Sequence, residues 1–317
     1  MERLRHDDPT RIGPYVTLAR LDADSDAAHC VPERRYLARA ADGERTVLLC
    51  VPRVGADPSR WAIEAEGARR LSVPGFLTVA EVGGTAGFPW YAAAYAPALP
   101  LPAVLAAYGG PLPEDTVRRL GAALAQALAA AHAQGVTHAG LSPAAVLVTP
   151  SGPLLACFGA TRAERTGHDP GCLAPERAAG APAAPAGDVY SLGAVLAYAA
   201  TGHTVPEQSE LPLSLRRLTG ACLARDPADR PGTAQDVLRE LAAPVERPGP
   251  ARDPRLPTGV HAPAPSPLPT GTVLDPATPL SLPGRVVAAL AAQSGALLAA
   301  ELPAPYQSFA TTPQKAH

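Results

Sequence analysis

GVTHAGLSPAAVLVTPSGPLLACFG, residues 135–159, is the stretch whose reading decides the fold. Before it, over residues 114–134, Val117, Leu120, Leu124, Leu128 and Ala131 recur at helical spacing, which predicts a long buried helix closed by Gly135. The stretch itself holds no Asp, Glu, Lys or Arg. Its lone His138 has the bland reading of a core histidine, because a single His in apolar surroundings more often packs than catalyses.

Working outward, His138-x-x-Leu141-x-Pro143 is followed by Phe158-Gly159, Ala174-Pro175-Glu176, Asp188 at the head of DVYSLG, and Arg230 in CLARDPADRP. In this order and spacing the series resembles a Ser/Thr protein kinase domain of the bacterial, actinobacterial type. Such a domain reads His-Arg-Asp-Leu-Lys-Pro-x-Asn, then two short strands, then Asp-Phe-Gly, and each polar member has one task in phosphoryl transfer. Here Ala139 stands at the Arg, Gly140 at the base Asp and Ser142 at the Lys. Ala145 takes the metal-binding Asn position and Cys157 the metal-binding Asp position. The resemblance implies packing roles for His138, Leu147, Phe158 and Gly159 in the column linking two lobes. It also implies a buried salt bridge between Glu176 and Arg230, and a fold-marking role for Asp188 at the start of the central helix of the large lobe.

Toward the N-terminus, residues 12–20, IGPYVTLAR, read as a first strand, and residues 36–39 and 46–51 as a hairpin turning at Asp42-Gly43. Between them the family places a Gly-rich loop whose backbone N–H groups cradle phosphates. This chain has LDADSDAAHCVPERR, without a Gly and with Asp22, Asp24 and Asp26 where phosphate charge would sit. It reads as an acidic, solvated loop. By resemblance Cys50 takes the position of the phosphate-holding Lys, Leu48 that of the small Ala beneath adenine, and Arg35 that of the Val covering it. Strand alternation points Leu48 and Cys50 to the same, cleft-facing side. With Leu147, these side chains narrow or fill the purine slot. The helix expected over residues 58–71, with Ser59 as N-cap, carries Glu64 where the family's regulatory helix supplies a Glu, here read as a solvated helix residue.

Composition adds a chemical constraint. Lys315 is the only lysine among 317 residues, so no neighbouring strand can lend the cleft a replacement. A net charge of -2 with interspersed signs argues against a nucleic-acid partner. Five widely spaced Cys fit neither a disulfide framework nor a zinc site. The N-terminal MERLRHDDPTRIG has no apolar core, so no signal peptide and a cytoplasmic location are expected.

The expected organisation is α+β and bilobal. An N-terminal extension spans residues 1–11 and a kinase-like domain residues 12–243, with its small β-rich lobe over 12–96 and its helical lobe over 97–243. A disordered Pro-rich linker follows over 244–281, then an Ala-rich helix over 282–303 and a tail over 304–317. RVVAALAAQSGALLAAE is too short for a membrane span and is interrupted by Gln293, Ser294 and Gly295, so it is expected to dock on the domain or on a partner. ATP and Mg are the family's cofactors, yet Cys50, Gly140, Ala145 and Cys157 leave none expected here, and metal ligands and catalytic residues are read as none. The reading is a pseudokinase that binds protein partners as a regulatory scaffold. The alternatives are a divergent kinase using Asp169 and Arg side chains, or a nucleotide or metabolite sensor using the cleft.

Overall fold

The computed structural model describes residues 2–22, 33–85, 87–156, 170–243 and 280–300, and the statements below concern these. Six strands form one antiparallel sheet: β1 (Arg11–Ile12), β2 (Tyr15–Arg20), β3 (Glu33–Ala40), β4 (Thr46–Pro52), β5 (Val79–Thr85) and β6 (Phe88–Ala94), in the order β1-β2-β3-β4-β6-β5. The single first strand expected over residues 12–20 is two, broken at Gly13-Pro14. Gly13 has φ +54°, and a Cβ there would lie 2.7 Å from the Trp90 ring, so the chain turns back where only glycine fits.

Alternation sorts the sheet into two faces. Tyr36, Val47, Leu49, Val51 and Trp90 pack on one. Leu37, Leu48, Cys50, Tyr91 and Ala93 pack on the other, against helix α1 (Pro58–Arg70) and the rest of the cleft. The α1 cap is Asp57, whose carboxylate accepts from the N–H groups of Ser59 and Arg60 at 3.0 and 3.1 Å, and not Ser59 as the sequence reading had it. A carboxylate at the N-cap satisfies orphan donors and also meets the positive end of the helix dipole, which explains why the earlier residue wins.

The second lobe is helical: α2 (Leu101–Tyr108), α3 (Glu114–His132), α4 (Pro175–Ala178), α5 (Pro185–Thr201), α6 (Leu213–Cys222) and α7 (Ala234–Ala242). Helix α3 buries a broad stripe, Val117 through Ala131, against α5 and α7. At Gly121 a Cβ would come within 2.4 Å of Leu196, so the α3–α5 approach depends on the missing side chain. A small sheet, β7 (Leu99–Pro100), β8 (Val146–Thr149) and β9 (Gly152–Leu155), lies beneath the six-stranded one. A last helix, α8 (Gly284–Leu298), packs on α2. No helix among the described residues is long and apolar enough to cross a membrane.

Candidate functional site

The cleft between the lobes is roofed by β3 and β4 and floored by the 3-10 turn Pro143–Ala145 and β8. Register places Arg35 opposite Cys50 and Leu37 opposite Leu48, all four on the cleft face. Arg35 is 2% exposed although it is an arginine. Its guanidinium donates through Nε to Asp22 Oδ2 at 2.8 Å, through a second nitrogen to Asp22 Oδ1, and across the cleft to the Ala144 carbonyl at 2.9 Å. Asp22, expected in a solvated loop, is thus the partner of a buried cation, since a guanidinium cannot be desolvated without one. Asp24 and Asp26 lie outside the described residues.

Cys50 is fully buried; burial pushes its thiol well above the ordinary cysteine range, with Glu33 adding to the shift. Around it, Tyr91 donates to Glu33 at 2.8 Å and stacks on Trp61 of α1, ring centroids 5.4 Å apart and planes at 14°. Glu64, three residues after Trp61 on α1, is half-buried. Leu48 and Leu147 are buried, at 5% and 1% exposure, in the same apolar cluster as Ala144, Ala145 and Leu37.

Below the cleft, Asp188 is a buried organising carboxylate in the first turn of α5. It accepts from the backbone N–H groups of His138 and Ala139, each at 2.8 Å, and contacts His132 Nε2 at 2.9 Å. These bonds hold Ala139 at φ +63°, unusual for a residue with a Cβ. His138 is fully buried; its Nε2 lies 3.0 Å from the Ala156 carbonyl and therefore carries the proton, and its ring meets Phe76 at 5.9 Å. Gly140 is half-buried and Ala145 fully buried. Cys157, Phe158, Gly159 and Asp169 lie outside the described residues.

Farther down, Arg230 grips Glu176 with two bonds, 2.7 and 2.8 Å, while also donating to the carbonyls of Ala186 and Ala224. The arginine side chain is fully buried and the glutamate 23% exposed, so the bridge is buried on one side only. The guanidinium holds the Glu176 carboxyl below its usual range.

The last helix brings in residues the sequence reading did not assign to the cleft. Gln293, 4% exposed, accepts from Ala98 N–H at 3.0 Å and donates to Ala98 C=O at 2.9 Å. Arg39 on β3 donates to the carbonyls of Leu297 and Ala300. The signal for Gln293 was in its spacing: Val286, Leu290, Gln293 and Leu297 form one helical row, and a polar residue in such a row must find a partner.

No protein-family model matches the chain. It is 35% identical over 274 residues to a probable serine/threonine-protein kinase of Thermomonospora curvata, named PkwA, covering 76% of this chain and 36% of that protein. It is likewise 35% identical over 275 residues to the serine/threonine-protein kinase AfsK of Streptomyces griseus, covering 76% and 33%. Among solved structures, a Mycobacterium tuberculosis PknI kinase domain matches with TM-score 0.59 and 27% identity, covering 72% of this chain and 94% of that one. The chain belongs to the bacterial Ser/Thr protein kinase family. It spans about a third of the length of these kinase relatives. By resemblance to these kinases, β3 and β4 would be the cleft roof, the segment around Ala96-Pro97 the hinge between lobes, and Gly140 and Ala145 positions of the catalytic loop.

Proposed function

We propose that this kinase-family domain is a pseudokinase, a binding and regulatory scaffold for protein partners that does not transfer phosphate. The observation that carries this reading is the buried Arg35, whose guanidinium spans from the roof to the Ala144 carbonyl with Asp22 as counter-ion. A charged side chain with its bonds satisfied inside the protein is costly to displace. It lies beside Cys50, Leu48 and Leu147, where the family would admit a purine and its phosphates.

The residues present do not fit a magnesium nucleotide. Phosphoryl transfer needs a cation for the phosphates, ligands for the metal and a carboxylate to position the nucleophile. Cys50 offers a buried neutral thiol, while Gly140 and Ala145 offer no side-chain donor at all. Removing one charge-stabilising group commonly costs a factor of about a hundred to a thousand in rate, and several are replaced together here.

The test is calorimetric titration of the full chain with ATP in the presence of Mg, paired with a phosphate-transfer assay on a generic protein substrate. No heat of binding and no transfer are expected. Magnesium-dependent binding at micromolar affinity together with transfer would overturn the reading, and transfer lost on Asp169→Ala would establish the divergent kinase in its place. Binding without transfer would make the cleft a nucleotide sensor.

A further inference from the structure

The seat of α8 has three independent anchor points, and they belong to different parts of the molecule. The first is apolar: Val286 and Leu290, at 0% and 3% exposure, join the large core that includes Leu101, Val104 and Leu105 of α2. The second is a matched pair of hydrogen bonds, in which the Gln293 carboxamide faces the backbone of Ala98 as one strand faces another, accepting from its N–H and donating to its C=O. The Tyr95 hydroxyl, 3.3 Å from the same oxygen, completes that polar contact. The third anchor reaches the small lobe. Leu297, 3% exposed, is buried in the cleft-face cluster with Leu21, Leu48 and Leu147, and Arg39 of β3 caps the carbonyls of Leu297 and Ala300. A guanidinium at a helix C-terminus meets both orphan carbonyls and the negative end of the dipole.

These contacts do what a docked ligand does. The backbone N–H and C=O of Ala98 are both satisfied by a side chain almost two hundred positions away in the chain, and buried backbone polar groups left without partners are unfavourable. The pattern is also selective. An amphipathic helix with aliphatic residues in the Val286, Leu290 and Leu297 places fills the apolar seats, and only a side chain with adjacent donor and acceptor answers Ala98 from the Gln293 place. Glu at that place would lack the donor.

We propose that the groove formed by α2, the hinge and the cleft mouth is a helix-recognition site, with α8 as its intrachain ligand, and that seating of α8 clamps the two lobes together. Because α8 bonds the hinge through Gln293 and the roof through Arg39, its seating fixes the lobes relative to one another without any nucleotide. The inference stands apart from the pseudokinase reading, since a clamp of this kind works equally on an active or an inactive cleft.

Hydrogen exchange followed by mass spectrometry on the full chain tests it. In the Gln293→Ala, Leu297→Glu double variant, amides of residues 95–99 and of α8 are expected to exchange about tenfold faster or more, as the lost pair of hydrogen bonds to Ala98 and one lost apolar seat imply. The α3 core should remain unchanged. A synthetic peptide of residues 281–300 added in excess should restore protection at 95–99 of the double variant, and the same peptide carrying Gln293→Ala should not. Unchanged exchange at the hinge, or a hinge that the native peptide does not protect, overturns the proposal. Should the double variant lose protection in α3 as well, Arg39→Gln in the full chain is read by the same criterion at residues 284–298, because it alters only the contact at the helix end. Phosphate transfer plays no part in this readout, so its outcome and that of the activity assay are separable.

Discussion

Asp188 and Arg35 hold the same loop from opposite sides. Asp188 reaches it from below and accepts from the N–H groups of His138 and Ala139; Arg35 reaches it from above and donates to the Ala144 carbonyl. Both are buried charges bonded to backbone, yet their origins differ. By the resemblance, Asp188 corresponds to the Asp that starts the central helix of the large lobe, and Arg35 to the position of a Val that covers adenine. On the pseudokinase reading proposed above, the polar groups serving architecture are in place, and those that would serve catalysis have given way to contacts such as the Arg35 bond to Ala144.

The comparison is broken most severely by Asp188→Ala. It removes the acceptor of the buried His138 N–H, of the half-buried Ala139 N–H and of the His132 ring, and a loss of about 3 to 5 kcal/mol of stability is expected, read as a shift of the urea midpoint. If the variant loses less than Arg35→Leu, the Arg35 contact and not the Asp188 contact is the main support of the loop. Arg35→Leu ranks next, at about 1 to 3 kcal/mol, because Asp22 at the margin of the cleft can rehydrate when its partner leaves. The sharper form is the double variant Arg35→Leu, Asp22→Asn. An ion pair exchanged for neutral residues of similar size is often neutral, so most of the single-variant loss should return, whereas no second substitution is expected to rescue Asp188→Ala.

Glu176→Gln should cost less, about 1 to 2 kcal/mol, since Arg230 keeps its carbonyl partners. Here pH provides a second reading. The Glu176 carboxyl is held below its unfolded value by the Arg230 guanidinium, so its contribution is complete above the ordinary Glu range and disappears as pH falls through the depressed folded value. Denaturation midpoints measured from neutral pH down to acid should therefore converge for the native chain and Glu176→Gln. A constant gap would remove the ion pair as the cause. The smallest effect concerns Cys50, whose buried, neutral thiol should react with iodoacetamide in the native chain at least about a hundredfold more slowly than after denaturation. Cys50→Val should change stability by less than about 1.5 kcal/mol.

The fold was legible from sequence because its markers are local and ordered: a helix with 3.6-residue periodicity ending at Gly135, a hairpin turning at Asp42-Gly43, a Glu and an Arg at family spacing. Each of these is set by neighbours in the chain or by a motif. For the cleft, the sequence offers only the reading that Cys50, Gly140 and Ala145 replace the family's polar groups, which the titration and transfer assay test. What fills it was not legible, because the partners are distant. Asp22 reads as solvated until the register of β3 turns Arg35 toward it, and Ser59 reads as a cap until Asp57, two residues earlier, takes the position. Gln293 looked like an interruption of an apolar helix, whereas it is the residue that matches Ala98. A polar residue in a buried row is informative about position only once the surface it faces is known.

Trp61 and Trp90 are the two tryptophans of the chain. Trp61 stacks on Tyr91 on the cleft side of the six-stranded sheet, and Trp90 lies on the far face, edge-on to Tyr15 at 5.7 Å and pressed against Gly13 and Gly83. Nature has therefore placed one indole chromophore on each side of the same β-sheet. Substituting either by Phe leaves a single emitter, and the pair of variants yields separate optical readouts of the cleft interior and of the sheet's outer surface, without an added dye.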